Sequence, residues 1–411
     1  MHILIIHQAF ASLDEPGGTR HYELARWLVA NGHRVTVIAS PVSYITGSRV
    51  VPHVASEPDS TLPGLQILRA AVYEAHHKSF MHRMWAFFTF MWSSFWLGLR
   101  VSGVDLVWGT SPPIFQGVTA WLVARSKRAR FLFEVRDLWP EFAVAVGVLK
   151  SPLLIRLSEW LERRLYRAAD CVVLNSPGFL DHVRKRGARR IELVPNGADP
   201  AMFVASADGT DFRRRNGLVD RFVALYAGAH GMSNDLEVVI DAAAQLQDTN
   251  VQVVLVGDGK EKPRLRARAA ALGLRNVTFL ASVPKSEMPA VLAATDAGIA
   301  ILKPLEAYKT TYPNKVFDYM AAGKPVILAI DGVIREVVES AHAGLFVQPG
   351  SADALAEGIR RLEADPVASR QMGASARLYL ESNFSREQLA RKLLDVLEST
   401  LTSGSSHAAG S

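Results

Sequence analysis

The sequence predicts an α/β protein of two parallel-sheet domains with a cleft between them. Three observations carry this. Short apolar runs alternate with helical periods along nearly the whole chain, the pattern of parallel sheets covered on both faces. At 411 residues the chain is too long for one ordinary core. And the alternation breaks once, near 196–221, where "PNGADPAMFVASADGTDFRRRNGLVDR" offers turn residues and charges but no sustained period.

In the first half, strands are expected near 2–7, 34–39, 66–70, 105–109, 130–135, 171–174 and 191–194. Helical patterns lie near 18–31, 80–100, 114–127, 152–169 and 177–187. In the second half, strands are expected near 222–227, 251–256, 277–280, 296–302, 325–328 and 344–348, with helices between them. Three helices follow, near 352–363, 367–382 and 386–398. The domain bounds read as 1–200 and 201–384, with 402–411 a small polar tail expected to be disordered.

Composition is globular, with 49% apolar and 21% charged residues. The excess of +6, from 46 basic and 40 acidic residues, favours an anionic ligand or surface. The single cysteine, Cys171, lies in a buried-strand pattern, so neither a disulfide framework nor a cysteine zinc site is expected. "MHILIIHQAF" reads as a strand rather than a signal peptide, and the location expected is cytoplasmic. No basic–aromatic RNA motif appears.

Ligands of such folds bind after the strands. After the first strand, Gly17-Gly18 opens a helix and lets backbone N–H groups approach a diphosphate. This is not GxGxxG, and no acid follows the second strand in a ribose position, so a nicotinamide dehydrogenase is disfavoured. "FEVRDLWPE" crowds Glu134, Arg136, Asp137 and Glu141 at a strand end. It reads as a cleft wall or as a solvated loop with a structural Arg–carboxylate pair. Asp137 is the better acid/base or hydroxyl-orienting candidate, although spacing does not separate it from Glu134.

"YAGAHGMSNDLE" places Gly228 and Gly231 around His230, and "GDGKEKPRLRARA" begins with Gly257. "KPLEAYKTTYPNK" supplies Lys303, Glu306, Lys309 and Lys315. Lys315 and Asp318 open the helix of "PNKVFDYMAAGKPVI". They read either as an (i, i+3) ion pair or as a ligand site, with the cation at the phosphate-attracting helix start and the carboxylate on sugar hydroxyls. Four such strand ends in one half favour a nucleotide-phosphate site there.

Together, "PGGTRHYELARWLVANGHRVTVIAS", "GTSPP", "FEVRDLWPE", "PNGADPAMF", "VLVGDGKEKPRL", "PNKVFDYMAAGKPVI" and "AGLFVQPGSADALAEGI" resemble the GT-B retaining glycosyltransferases of group 1. The bacterial N-acetyl-L-fucosamine-type enzymes of O-antigen, capsule and colanic-acid assembly are similar in flavour. The resemblance implies two Rossmann-like domains facing across a cleft, with the last helix, about 385–400, returning to the first. It implies a nucleotide sugar, a UDP-sugar by preference, bound chiefly by the second domain without metal or cofactor. It also implies transfer with retention of anomeric configuration to a glycan or polyprenyl-diphosphate-linked acceptor.

On the resemblance, Asp318 matches the later acid of Glu-x7-Glu and would hold the ribose. The earlier acid is replaced by Thr310, with Glu306 four residues out of register. The usual Arg and Lys after the second domain's first strand are absent, leaving Lys315 and His230 to supply diphosphate charge. The family's His-Asp pair aligns with Arg136-Asp137. Two other readings are a sugar-nucleotide 2-epimerase on the same fold and a catalytically silent nucleotide-sugar-binding module.

"MWAFFTFMWSSFWLGL", residues 84–99, has seven aromatics and no charge, and follows His76, His77, Lys78, His82 and Arg83. At about 1.5 Å per residue it is short of a bilayer's ~30 Å core. It reads as a sandwiched core helix, as an interfacial element of 76–100 on an anionic membrane, or, least readily, as a span.

Overall fold

The computed structural model describes residues 1–43, 49, 56–58, 62–74, 80–204 and 208–402. His76, His77, Lys78 and the tail from 403 lie outside the described residues. The chain divides into two compact units. One holds Met1–Ser12, Gly17–Pro195 and the chain from Glu387; the other holds Leu13–Pro16 and Asn196–Arg386.

The first unit carries strands β1 (His2–Ile6), β2 (Arg34–Ala39), β3 (Ser56–Pro58), β4 (Leu65–Arg69), β5 (Leu106–Ser111), β6 (Arg130–Val135), β7 (Cys171–Leu174) and β8 (Ile191–Leu193). They form one sheet in the order β3-β4-β2-β1-β5-β6-β7-β8, parallel throughout except for β3 against β4. β3 was not foreseen: three residues are too few to show a period. The apolar runs alternate between faces. Ile3, Ile5, Trp108 and Leu132 pack under helix Arg20–Ala30. Leu4, Ile6, Val107 and Phe133 pack under the helices on the opposite side. Helix Arg386–Thr402 adds Leu389, Leu393 and Leu397 to the first of these cores.

The second unit carries β9 (Phe222–Ala227), β10 (Val251–Val256), β11 (Val277–Leu280), β12 (Ala297–Ile301), β13 (Val326–Ala329) and β14 (Gly344–Phe346). The order is β11-β10-β9-β12-β13-β14, all parallel. β9 and β12 lie at its centre, and the order changes direction there. A crevice therefore opens outside their C-terminal ends, the place where open α/β sheets bind ligands.

Candidate active site

In the second unit the site grows from one helix. In Asn314–Ala321, Val316, Phe317 and Met320 are fully buried and fix its rotation. That leaves Lys315 on the side of the strand ends. Its Nζ lies 3.8 Å from the centroid of the Tyr226 ring near the end of β9, and burial lowers its pKa to about 7. Tyr226 is itself buried, and its hydroxyl donates to the Ala229 carbonyl at 2.8 Å. A cation on an aromatic face is attracted to the ring but not neutralised by it.

Two glycines set the floor beside this cation. A Cβ on Gly228 would stand 3.2 Å from Lys315 Nζ, and a Cβ on Gly257 would stand 1.8 Å from the Gly228 carbonyl oxygen. The loops after β9 and β10 therefore touch backbone to backbone. Lys262 is committed elsewhere: its Nζ donates to the Gly257 and Leu280 carbonyls at 2.7 and 2.9 Å.

One alternative falls away here and two expectations are corrected. Of the two readings of Lys315 and Asp318, the ion pair does not form: Asp318 meets Lys285 at 2.6 Å, because successive turns carry the two side chains to different neighbours. His230 does not supply charge. Its ring is wholly buried, and burial, with Lys262 and Lys315 adding to it, lowers its pKa to about 4. Neither ring nitrogen has a hydrogen-bond partner among the described residues. Its role is a clamp: its N–H donates to the Asp258 carbonyl at 2.7 Å, and its carbonyl accepts from Glu261 at 3.0 Å. Glu306 and Thr310 are turned to their own segment. Glu306 is 87% exposed and pairs with Lys309 at 2.7 Å, and the Thr310 hydroxyl donates to the Ala307 carbonyl at 2.6 Å. Glu306 lines a cavity of about 200 Å³ with Lys303, Tyr308, Lys309, Asp331 and Gln348.

In the first unit, a polar cluster occupies the C-terminal ends of β1, β5 and β6. Glu134 is wholly buried. It accepts from Arg20 Nε at 3.0 Å, His21 Nε2 at 2.5 Å and Trp108 Nε1 at 3.2 Å. Burial opposes its ionisation, but His21 and Arg20 outweigh that and hold it well below the usual carboxylate range. Arg20 also donates to the Pro195 and Val194 carbonyls, both at 2.7 Å. Glu134 is thus the structural member of "FEVRDLWPE", not a cleft acid. Glu141 leaves the group as well, pairing with His182 at 2.8 Å.

Burial lowers the pKa of His7 well below the usual range and lowers that of His21 against the pull of Glu134, and their rings lie 4.1 Å apart. Arg136 donates to His7 Nε2 at 3.4 Å, which makes Nδ1 the proton-bearing nitrogen facing the Thr110 hydroxyl at 2.8 Å. Gly18 lies beside Arg136, at 3.9 Å from a Cβ built on the glycine, and Gly17 is held small by Ala11. Asp137 is half-buried, and burial raises its pKa to about 6 against the pull of Arg136. A carboxyl with that pKa can take or give a proton near neutrality.

Comparison with known proteins shows the family and the fold. The family model "Glycosyl transferases group 1" matches residues 208–379, and "Glycosyl transferase 4-like domain" matches 17–197. The chain belongs to the group 1 glycosyltransferases. Among relatives of this glycosyltransferase is the putative colanic acid biosynthesis glycosyl transferase WcaI of Escherichia coli K12, 26% identical over 91% of this chain and 94% of its own. Among solved structures, sucrose-phosphate synthase of Thermosynechococcus elongatus aligns with a TM-score of 0.78 at 21% identity, over 98% of this chain and 100% of that one. Anabaena HepE, solved with UDP and glucose, aligns with a TM-score of 0.73 at 19% identity, over 97% and 100%. These last two fix the fold as GT-B.

Sequence reasoning missed His7, Arg20, His21, Tyr226 and Lys285. All but Lys285 stand in quoted motifs, but only the fold brings Arg20 and His21 from one helix onto Glu134 and stacks the His7 ring on that of His21. Lys285 sits in "SVPKSEMP", where its spacing to Asp318 carries no period.

Proposed function

We propose that this glycosyltransferase moves a sugar from a nucleoside diphosphate, a UDP-sugar by preference, to a glycan or polyprenyl-diphosphate-linked glycan, with retention of configuration. The observation that carries the donor assignment is Lys315: a half-buried ammonium on an aromatic face at a helix start, with no carboxylate partner among the described residues. Such a charge is costly unless an anion completes it. Its neighbours Gly228 and Gly257 leave room for close backbone approach by a diphosphate.

Lys315 then stabilises the charge that builds on the departing nucleoside diphosphate, and the helix start adds its dipole. Asp318 holds the ribose hydroxyls, and Lys285, 2.6 Å from its carboxylate, orients it. Asp137, backed by Arg136, orients a sugar hydroxyl and exchanges its proton. The reaction is read as using no metal and no cofactor. Residues 76–100 bring the enzyme to an anionic membrane surface from the cytoplasmic side.

The test is calorimetric titration with UDP, GDP and ADP, beside Lys315→Ala. UDP is expected to bind most tightly. The substitution is expected to cost about 2–4 kcal/mol, as for one lost charge-stabilising donor. Equal binding by the substituted protein would place the diphosphate elsewhere.

A further inference from the structure

The face of the first unit carrying helices Phe80–Arg100, Phe115–Lys127 and Pro152–Ala168 has a surface that the transfer reaction does not use. All three pack on the same side of the sheet. The first two meet through Phe88 and Phe115, with ring centroids 5.0 Å apart, and Thr119 donates to the Met91 carbonyl at 3.3 Å. The second and third meet through Arg164, 5.3 Å from the Trp121 ring. Their outer sides therefore point away from the sheet together.

Those outer sides are apolar and aromatic. Trp85, Phe88, Trp92 and Trp96 form one helical stripe, with Trp92 64% exposed. Leu153, Leu157 and Trp160 form another, with Trp160 61% exposed, and Arg164 continues it by one turn. Opposite these stripes, Ala86, Phe90, Ser94, Leu165 and Tyr166 are buried. Isolated exposed apolar residues are ordinary, but four exposed tryptophans on one face are not.

The charge on this face has one sign. The three helices hold eight Lys and Arg and two Glu. Of the two acids, Glu162 is buried against Arg186, and Glu159 is shared by Arg163 and Arg186. A second copy of the chain would set this cationic face against itself. A bilayer of anionic lipid complements both features: its headgroups take the Arg and Lys, and its interface is where tryptophan side chains settle.

We infer that helix Pro152–Ala168 joins helix Phe80–Arg100 in a single membrane-docking plane, which lies flat on an anionic lipid surface. This rests on the membrane contact proposed for 76–100 and extends it to a second amphipathic helix. Among the described residues no helix is long and apolar enough to cross a membrane, so the plane lies on the interface and does not span it.

The test is flotation of the full chain with vesicles of phosphatidylcholine alone and of phosphatidylcholine with phosphatidylglycerol. Three double variants are compared: Trp92→Ser with Trp96→Ser, Leu157→Ser with Trp160→Ser, and Arg156→Ala with Arg163→Ala. Thermal melts confirm that each is folded. The wild type is expected to float with the anionic vesicles only. Both apolar variants are expected to weaken partition roughly tenfold or more, and the Arg variant by about fivefold per removed cation. Loss with the Trp92/Trp96 variant but full binding by the Leu157/Trp160 variant overturns this inference and leaves the 76–100 contact standing. No flotation of the wild type overturns both. A vesicle-free dimer, seen by light scattering and dispersed by the same variants, also overturns it by naming a second copy as the occupant.

Discussion

At the residue scale, a buried charge and a half-buried one behave in opposite ways. Arg20 is 2% exposed and fully answered by Glu134 and two carbonyls. Removing one partner of such a pair leaves a bare charge in the interior. Glu134→Ala is therefore expected to destabilise the first unit by about 3–5 kcal/mol, measured by urea unfolding. An unchanged midpoint would mean that water reaches Arg20. Lys315 has no such partner among the described residues, so its burial costs stability that only a ligand returns. Lys315→Met is expected to raise the melting temperature of the free protein while weakening UDP, a trade seen where function holds strain. The sequence showed Lys315 and Asp318 as a pair of charges, but not their separate partners. Tyr226 and Lys285 come from elements far away in the chain, and no local period encodes that meeting. His230 was misread for a similar reason. Its charge depends on burial, and burial depends on Gly257 and Phe279 closing over its ring.

At the scale of elements, the strands and helices were legible because parallel strands buried on both faces are continuous apolar runs. "VQVVLV" and "AGIAI" fall where expected, as β10 and β12. The aromatic helix was legible as a helix but not as to its surroundings. Its sandwiched reading fails, since Trp85, Trp92 and Trp96 are exposed. An apolar count does not say which side a sheet will cover. The loops after β9 and β10 work as one element, since Gly257 seats directly on Gly228. Gly257→Ala is expected to push these loops apart and to abolish detectable UDP binding, while far-ultraviolet circular dichroism stays native. Wild-type affinity in that variant would show that the two loops move independently of the ligand.

At the scale of the whole molecule, the chain returns after the second unit to finish the first. Leu393 and Leu397 of helix Arg386–Thr402 are fully buried beside Ile5 and Leu28. Leu393→Ala is expected to cost about 2–5 kcal/mol in the first unit. Calorimetry should show an earlier first transition and an unmoved second one; a shift of the second alone would contradict this packing. The break near 196–221 was visible in composition. That Leu13–Pro16 clusters with the second unit was not, because four loop residues carry no pattern.

The decisive measurement is UDP affinity against pH, for the wild type and for Lys315→Met. In the free protein Lys315 has a pKa of about 7. Below it the ammonium is present and binding is strongest. Above it the amine must take up a proton to bind, so affinity should fall by up to tenfold per pH unit. The calorimetric heat should then depend on the buffer's ionisation enthalpy. Lys315→Met should bind weakly, with this pH dependence gone. A wild-type affinity that is flat from pH 6 to 9, or the same fall in Lys315→Met, would contradict Lys315 as the cation that meets the diphosphate.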